Sequence, residues 1–378
     1  MNTFYSEQVS NCDRRKLDME RIKRYLIKNG FNETSDLGSA SHVFAVTCAT
    51  TDANVADSVN LVHRLSSESA ETAKVIVIGC LEKRHPKSLD DKVMLQVNPK
   101  EGLIPLQKAL HLSGSPYDLP DLSLPSRNLM NVRVQDGCLG SCTYCKIRSS
   151  IGSAKSRRLQ SILGDIDQNM TDEIEFIRLT GDDVGTYGLD IQSSLSELLE
   201  SVSAVAPGMQ LLIDNLDPKY MVMNWATIHD FAKRSSVTHI KIPVQHLNER
   251  ILSLMRRFSD VREISGKVAL LGQYGVQLQT HFIVGFPTET RDELFTAVDK
   301  AVSLPFGQIS FIPYSNHFGS LSHGWEQVPR KEVKYRLQHI KEKVDSAGLV
   351  EVPYVDLQGI EEIKLVKEGY KNATRRYE

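Results

Sequence analysis

The feature that most constrains the fold is a long alternation of strand-like and helix-like segments between residues 128 and 350. Amphipathic stretches such as SSLSELLESVSAV and RDELFTAVDKAV separate six short runs with the composition of buried strands: MNVRVQ, EIEFIRLT, MQLLID, VTHIKIPV, VQLQTHFIVGF and GQISFIP. Strand–helix units of this kind form parallel sheets with right-handed crossovers. The sequence therefore predicts a partial (β/α)6 barrel whose site lies at the C-terminal strand ends.

A shorter alternation occupies residues 1–112. TFYSEQV, HVFAVTC and KVIVIGC are strand-like, and LDMERIKRYLIKNGF and ANVADSVNLVHRL are helix-like. This order indicates a small parallel α/β domain of the Rossmann or flavodoxin-like type, so the fold class of the whole chain is α/β. Residues 113–127, SGSPYDLPDLSLPSR, contain three prolines and are predicted to be a linker. Residues 351–378 are predicted to be a short tail, too few for another folded domain.

Composition narrows the class of protein. A hydrophobic content of 41% and a charged content of 24% are typical of a soluble globular protein. No apolar run approaches the roughly 20 residues of a membrane span, and the N-terminus lacks the apolar core of a secretory signal. We therefore expect a cytoplasmic location, where clustered cysteines bind metal or do redox chemistry rather than form disulfides. The net charge of −2 gives no global attraction to nucleic acid.

Half of the six cysteines lie in one loop, GCLGSCTYCKI, directly after the first strand of the longer alternation. The thiolates of Cys138, Cys142 and Cys145 can hold three irons of a [4Fe–4S] cluster and leave the fourth iron open. A structural zinc site requires four ligands, and unrelated buried thiols are the other alternative.

The other three cysteines are far apart in sequence. Cys12, Cys48 and Cys80 each follow a strand of the N-terminal domain. Because open parallel sheets bind ligands outside the carboxyl ends of their strands, these thiols are expected to converge on one edge. The alternative is three independent buried cysteines at strand ends.

The spacing C-x₃-C-x₂-C after the first barrel strand resembles the radical S-adenosylmethionine (SAM) superfamily. Further stretches resemble, in order, the motifs of the methylthiotransferases, most closely the branch that modifies threonylcarbamoyladenosine in tRNA: IRLTGDDVGTYGLD, IKIPVQHLNERILSLMRR, HFIVGFPTET and FIPYSNHFGS. The resemblance covers residues 3 to 345. It implies that Cys138, Cys142 and Cys145 hold the catalytic cluster that cleaves SAM to a radical. It also implies that an auxiliary [4Fe–4S] cluster on Cys12, Cys48 and Cys80 supplies sulfur for a C–S bond.

The resemblance further implies a set of SAM-binding residues, namely Tyr144, Gly181, Asp182, Asp183, Gln245, Gly285, Glu289 and Arg157. Tyr144 is expected near the adenine and the 181–183 segment near the SAM ammonium, with a solvated turn as the alternative for that segment. Glu289 either belongs to the loop near the adenine or caps the helix that begins near residue 290. Arg157 and Arg158 either contact a SAM carboxylate or a substrate phosphate, or face water.

Several positions depart from the family pattern. His246-Leu247-Asn248 stands in place of Ser-Gly-Ser, and Ile151-Gly152 in place of Arg-Gly. The segment 317–320 (HFGS) lacks the usual arginine before Gly-Thr, and we expect the family's C-terminal RNA-binding β-barrel to be missing. These departures suggest altered substrate contacts. The basic residues of the tail are expected on a solvated helix face: Lys364, Lys367, Lys371, Arg375 and Arg376.

The sequence therefore predicts sulfur insertion or methylthiolation at an unactivated C–H bond of a peptide, protein side chain or small natural product. A flavodoxin- or ferredoxin-type protein is the expected electron donor, and no membrane partner is expected. Methylthiolation of a tRNA adenosine is the first alternative. A radical SAM enzyme whose auxiliary cluster only relays electrons or anchors substrate is the second. A non-catalytic iron–sulfur protein that binds RNA is the third.

Overall fold

A computed structural model describes residues 2–9, 12–49, 52–81, 89, 91–317, 319–345, 349–355, 361–367 and 370. The chain forms two compact units. The first contains residues 1–123 and 146–152, and the second contains residues 124–145 and 153–378. No helix in the described part of the chain is long and apolar enough to cross a membrane.

The first unit is built on a five-stranded parallel sheet with the strand order β2-β1-β3-β4-β5. Its strands are β1 (Thr3–Gln8), β2 (Asn32–Glu33), β3 (His42–Thr47), β4 (Lys74–Gly79) and β5 (Val93–Val97). Its helices are α1 (Asp13–Lys28), α2 (Asp52–Glu68), α3 (Ile104–Ala109) and α4 (Ile147–Ser150). The predicted small parallel α/β domain is therefore confirmed.

Both faces of this sheet are covered because strands β3 and β4 are apolar at successive positions. Phe44 and Ile76 pack against Ile22 of α1 on one face. Val43 and Val75 pack against Val62 of α2 on the other. Burial on both faces is typical of a parallel sheet, and it leaves the strand ends as the places where polar chemistry can occur.

The second unit contains a nine-stranded sheet with the order β15-β16-β14-β13-β12-β11-β10-β7-β6. Its strands are β6 (Leu122–Ser126), β7 (Leu129–Arg133), β10 (Phe176–Thr180), β11 (Gln210–Ile213), β12 (Val237–Lys241), β13 (Gln277–Val284), β14 (Phe306–Pro313), β15 (Leu349–Val355) and β16 (Glu361–Lys367). A separate two-stranded ribbon pairs β8 (Gln135–Asp136) with β9 (Lys155–Ser156). Strands β7 and β10–β14 are parallel neighbours, which confirms the six predicted strands of the partial barrel.

Helices separate the parallel strands, as the alternation predicts. They are α5 (Leu159–Asn169), α6 (Leu195–Val205), α7 (Pro218–Met223), α8 (Trp225–Lys233), α9 (Glu249–Leu254), α10 (Val261–Gln273), α11 (Arg291–Ser303) and α12 (Arg330–Asp345). Helices α5, α8, α10 and α11 pack on the sheet. The side chains beneath them, such as Leu278 and Phe282, are fully buried.

Two expectations about irregular segments were wrong. The segment 113–127 is not free of elements, because it contains a 3₁₀ turn (Pro116–Asp118) and strand β6. Pro125 is tolerated there because β6 is the edge strand of its sheet. Residues 361–367 of the tail form β16, antiparallel to β14, rather than a helix face. Lys371, Arg375 and Arg376 lie outside the described residues.

Candidate active site

The cysteine loop of the second unit follows β7 and β8, at the carboxyl end of the parallel sheet. Cys138 accepts a hydrogen bond at Sγ from the backbone N–H of Gly140 (3.1 Å), and Cys145 N–H donates to the Cys142 carbonyl (3.2 Å). A Cβ on Gly140 would lie 3.2 Å from Cys138 Sγ and 3.7 Å from Cys142 Sγ. The loop therefore folds around Gly140, with the thiols of Cys138 and Cys142 both close to that residue.

Burial of Cys138 is the main reason why its pKa is raised to about 12. The Gly140 N–H lowers the pKa in part, and the charges of Asp183, Cys142 and Cys145 raise it further. All three loop thiols and a carboxylate therefore lie within electrostatic range of one another. A cationic group bound among them would stabilise the thiolate forms.

Arg257 is a buried cation beside this loop that the sequence analysis did not identify. Its guanidinium lies 3.5 Å from Cys142 Sγ and 3.4 Å from Tyr144 Oη, and it pairs with Asp217 at 2.9 Å. Burial by itself would lower the pKa of Arg257, but Asp217 and the neighbouring Tyr144 and Cys142 raise it well above its ordinary value. A permanent positive charge therefore adjoins the cysteine loop.

Asp182 and Gln135 anchor the start of the cysteine loop. Asp182 Oδ2 accepts a hydrogen bond from Gly137 N–H (2.7 Å), and Asp182 N–H donates to Gln135 Oε1 (3.1 Å). A Cβ on Gly181 would lie 2.7 Å from Gln135 Oε1 and 3.0 Å from the Gln135 carbonyl oxygen, so a larger residue would displace Gln135. Gly181 and Asp182 thus join the end of β10 to the loop, and the segment is not a solvated turn.

The Asp183 carboxyl group has a strongly raised pKa. Burial is the main cause of its raised pKa of about 7, and the charge of Asp217 raises it further. Hydrogen bonds from Asp217 N–H (3.3 Å) and Gly185 N–H (3.2 Å), together with the Arg257 charge, act in the opposite direction. The carboxyl group is therefore poised between its neutral and charged forms near neutral pH.

Gln245 is held in a left-handed conformation (φ 68°) at the carboxyl end of the sheet. Its backbone is bonded to β13 on both sides, through His281 O (2.9 Å) and Ile283 N (2.9 Å). Gln245 is 7% exposed, and among the described residues no group donates a hydrogen bond to its Oε1. A buried acceptor of this kind fits a bound ligand that carries a donor.

Glu289 and Gly285 form a buried structural network instead of an open site. Glu289 accepts hydrogen bonds from Gly285 N–H (2.8 Å) and Arg336 Nη1 (2.6 Å), and His246 Nε2 lies 3.4 Å away. The cap of α11 is Thr290, so the helix-cap alternative for Glu289 is wrong. Gly285 (φ 81°) is required because a Cβ would lie 2.5 Å from Val333.

The departure at residues 246–248 is explained by packing. His246 is fully buried, accepts a hydrogen bond from Asn248 N–H at Nδ1 (3.0 Å) and directs Nε2 toward Glu289. Leu247 is 1% exposed, and Asn248 caps α9 through Ile251 N–H (3.1 Å). These contacts give residues 246–248 a packing and capping role, and whether the departure also alters substrate contacts stays a prediction.

Arg157 is also a structural residue. It donates to the Arg133 carbonyl (2.8 Å) and to Asp165 of α5 (2.6 Å), which fixes the chain after the cysteine loop. Its side chain is mostly buried, so it does not face water. Arg158 is exposed.

In the first unit, three cysteines follow three neighbouring strands, β1, β3 and β4. Cys12 precedes α1 and does not cap it with its thiol. The backbone of Cys48 is bonded to Ser58 Oγ (2.9 Å), and Cys80 N–H donates to Thr47 O (3.3 Å). The strand ends therefore bring the three thiols to one edge, as the sequence predicts. Residues 10, 11, 50, 51 and 82–88 lie outside the described part.

Gly79 allows the close approach of β3 and β4 at this edge. It has φ 127°, and a Cβ there would lie 2.2 Å from Thr47 O. Burial raises the pKa of Cys80 to about 11, opposed by Arg15 and reinforced by Cys48 and Cys12. The three thiols are thus within electrostatic range of one another.

Each cysteine set fits a [4Fe–4S] cluster by its donor chemistry, since thiolates are the usual ligands of such clusters. Among the described residues, no group of three or more His, Cys, Asp or Glu side chains is placed so that it could hold one metal ion. A four-iron cluster is larger than one ion and holds its thiolates farther apart.

Two family models match the chain. The radical SAM superfamily matches residues 132–301, and an uncharacterised protein family, UPF0004, matches residues 7–97. The first match includes the cysteine loop and Arg257, and the second includes all three cysteines of the first unit.

Full-length relatives combine the same two regions. The ribosomal protein uS12 methylthiotransferase of Thermosipho melanesiensis is 26% identical, over 89% of this chain and 82% of that protein. A probable threonylcarbamoyladenosine tRNA methylthiotransferase of Pyrococcus horikoshii is 25% identical, over 86% of this chain and 80% of that protein. Because these two identities are nearly equal, they do not show whether the chain is nearer to the protein-modifying or to the tRNA-modifying relatives.

Solved structures show the same fold. A radical SAM methyltransferase, TsrM of Kitasatospora setae, superposes with a TM-score of 0.63 at 13% identity, over 98% of this chain and 88% of that chain. The two domains together imply SAM and two [4Fe–4S] clusters as cofactors. The chain belongs to the radical SAM methylthiotransferase family of enzymes.

Proposed function

We propose that the two cysteine sets have separate roles in one reaction, the replacement of an unactivated C–H bond by a C–S bond. Cys138, Cys142 and Cys145 hold the cluster that cleaves SAM. The second cluster is held by Cys12, Cys48 and Cys80. The observation that carries the proposal is the gathering of each set at the strand ends of its own parallel sheet. When bound, SAM and the clusters supply the radical and the sulfur, and the protein positions them.

The residues around the cysteine loop have roles that follow from their contacts. Arg257 places a fixed positive charge beside Cys142, which stabilises negative charge on that sulfur. Gln245 Oε1 and the Asp183 carboxyl are the acceptors for the ammonium of SAM. Tyr144 packs with the apolar cluster formed by Ile251, Met255, Ile283 and Phe286 and lies beside the adenine. Glu289 and Arg157 support the loops and do not touch SAM.

The separation of roles can be tested with two variants of the anaerobically reconstituted enzyme, each compared with wild type. The variant with Cys12, Cys48 and Cys80 changed to Ala should still convert SAM to 5′-deoxyadenosine under reduction but form no C–S product. The variant with the three loop cysteines changed should do neither. Formation of the C–S product without Cys12, Cys48 and Cys80 would overturn the sulfur-donor role. Two alternatives involve no sulfur transfer: an auxiliary cluster that only relays electrons or anchors substrate, and a non-catalytic iron–sulfur protein that binds RNA. Both predict that no substrate gains sulfur in the presence of the wild-type enzyme.

For the substrate, we favour a peptide, a protein side chain or a small natural product over tRNA. RNA binding depends on phosphate contacts and a basic face. This chain has 45 basic and 47 acidic residues. The relative from Thermosipho melanesiensis is named for a protein substrate, ribosomal protein uS12. A flavodoxin- or ferredoxin-type protein supplies the electron.

The relative from Pyrococcus horikoshii keeps tRNA as the second candidate. Mass spectrometry of nucleosides and of digested proteins from cells with and without the gene separates the two. We expect unchanged nucleosides and the loss of a thiolated peptide or metabolite. Loss of a methylthiolated adenosine on deletion, restored by complementation, would return the protein to the tRNA-modifying branch. Purified enzyme should correspondingly bind tRNA weakly and with strong salt dependence.

A further inference from the structure

Arg257 lies just after the C-terminal end of α9, where the backbone turns sharply. Arg256 has a left-handed conformation (φ 55°), and its N–H donates to the Ser253 carbonyl (3.0 Å). The N–H of Arg257 donates to the Leu252 carbonyl (2.9 Å). Bonds of this kind close the last turn of a helix. The backbone of Arg257 is therefore fixed relative to α9.

The cysteine loop is bonded to the same end of α9. Thr143, which follows Cys142, donates from its N–H to the Met255 carbonyl (3.1 Å) and from its Oγ1 to the Leu254 carbonyl (3.0 Å). Thr143 is 2% exposed, so both bonds are shielded from water. The loop and Arg257 therefore share one backbone anchor, which holds the guanidinium and Cys142 at a fixed separation.

The guanidinium of Arg257 makes contacts on two sides. Its Nη1 faces the loop and lies 3.5 Å from Cys142 Sγ. Its Nη2 donates to the Pro243 carbonyl (2.6 Å) and pairs with Asp217 (2.9 Å). Asp217 is itself fixed, because its Oδ1 accepts a hydrogen bond from Lys219 N–H (2.9 Å) at the start of α7. The Arg257 side chain is 5% exposed, so solvent and salt screen its charge only weakly.

A fixed charge beside Cys142 responds to reduction of a cluster on the loop. In that step one electron passes from the donor protein, which is oxidised, and no bond forms or breaks. The cluster and its thiolates become more negative by one unit, so a neighbouring cation stabilises the reduced form more than the oxidised form. Net charge and hydrogen bonds to sulfur are known determinants of the reduction potential of iron–sulfur clusters. Arg257 should raise this potential, and Asp217, with the opposite charge, should lower it.

We propose that Arg257 and Asp217 set the reduction potential of the cluster on the cysteine loop, with Arg257 raising it and Asp217 limiting the rise. This inference rests on the proposed function, because it assumes that Cys142 binds iron. Arg257 acts through Cys142 and is therefore a positioning residue. A higher potential makes the cluster easier for a flavodoxin- or ferredoxin-type protein to reduce. A lower potential keeps the reduced cluster a strong enough reductant to cleave SAM, so the two charges balance two requirements.

The test is a potentiometric titration with dithionite, followed by electron paramagnetic resonance. The reference is the reconstituted full-length chain with Cys12, Cys48 and Cys80 changed to Ala, so that only the loop cluster is seen. In this chain, Arg257→Gln should shift the reduction equilibrium about tenfold toward the oxidised form, which is ~59 mV for a one-electron couple. Arg257→Lys, which keeps the charge, should give an intermediate potential. Asp217→Asn should shift the equilibrium toward the reduced form, since asparagine keeps the cap of α7 but removes the charge.

The matched control is Arg157→Gln. The Arg157 guanidinium is also mostly buried and pairs with Asp165 (2.6 Å), but it donates to the Arg133 carbonyl (2.8 Å). This variant should shift the equilibrium clearly less than Arg257→Gln. The titration is run well above the Asp183 pKa of about 7, so that this carboxyl group is charged in every variant. Iron content is measured first, so that loss of the cluster is not read as a change of potential.

Opposite shifts in Arg257→Gln and Asp217→Asn support the proposal, because a general loss of folding would not change sign with the charge removed. If Arg257→Gln binds no cluster, the direction of the Asp217→Asn shift decides. Equal potentials in all variants, shifts of the same sign, or an equal shift in Arg157→Gln would overturn the proposal and leave the cluster assignment intact. A reference chain without any cluster would overturn the cysteine set of the proposed function, and this inference with it.

Discussion

Breaking the buried pair of Glu289 and Arg336 should be among the most destabilising single changes in the second unit. The Glu289 side chain is fully buried and the Arg336 side chain is 5% exposed, with 2.6 Å between carboxylate and guanidinium. Removing one partner of a buried pair typically costs about 3–5 kcal/mol, because the other charge stays buried. Glu332, at 2.8 Å, still neutralises part of the Arg336 charge. We therefore expect Glu289→Gln to lose about 3 kcal/mol, near the lower limit of that range.

This loss corresponds to a fall in Tm of about 6–12 °C for a unit of this size. Circular dichroism melts of the reduced apo protein measure it. Arg336→Met should lower the free energy of unfolding by a similar amount. Because the two residues interact directly, the loss in the double variant should be smaller than the sum of the two single losses by about 2 kcal/mol. The control is Glu200→Gln, which breaks a half-exposed pair with Arg234 (3.2 Å) and should cost at most about 1 kcal/mol. If Glu289→Gln had the same Tm as wild type, or if the two losses were strictly additive, the two buried charges would not stabilise each other.

Two further predictions follow from the burial of His239 and the packing of Gly79. The pKa of His239 is about 3 in the folded chain against 6.5 in the unfolded chain, so only the unfolded chain takes up its proton between these values. Wild type should therefore lose about 2 kcal/mol of stability between pH 7 and pH 5 that His239→Gln does not lose, and equal pH slopes would contradict this. Gly79→Ala should reduce iron bound by the first unit, because its Cβ would lie 2.2 Å from Thr47 O, whereas Gly164→Ala, with no atom within 4 Å, should bind iron normally. Normal iron content in Gly79→Ala would show that the strand ends can separate without loss of the site.

The sequence predicted those features that local pattern determines. The six parallel strands of the barrel follow from the alternation of apolar runs and amphipathic helices. The placement of Cys12, Cys48 and Cys80 at one edge follows from their positions after strands that turned out to be neighbours. The sequence of β16 also contains a strand signal. EEIKLVK alternates apolar and polar residues, with Ile363 and Leu365 buried in β16, but its basic residues suggested a helix face.

Pairings between distant residues were not predictable. Arg257 contacts Cys142 across 115 positions, and Glu289 contacts Arg336 across 47. No local pattern encodes such partners. The same holds for His246, which departs from the family motif but is accommodated by its contact with Glu289. A family motif indicates which residues matter, and only the fold shows whether each one binds a ligand or supports the backbone.

The presence of two clusters is tested by the iron content of the wild type and of two triple variants after anaerobic reconstitution. With one four-iron cluster on each set of three cysteines, wild type should bind about eight irons per chain. The two variants carry Ala in place of Cys138, Cys142 and Cys145, or in place of Cys12, Cys48 and Cys80. Each should bind about four irons and keep the absorption of one remaining cluster. A variant lacking Cys12, Cys48 and Cys80 that still binds about eight irons would show that these cysteines hold no cluster.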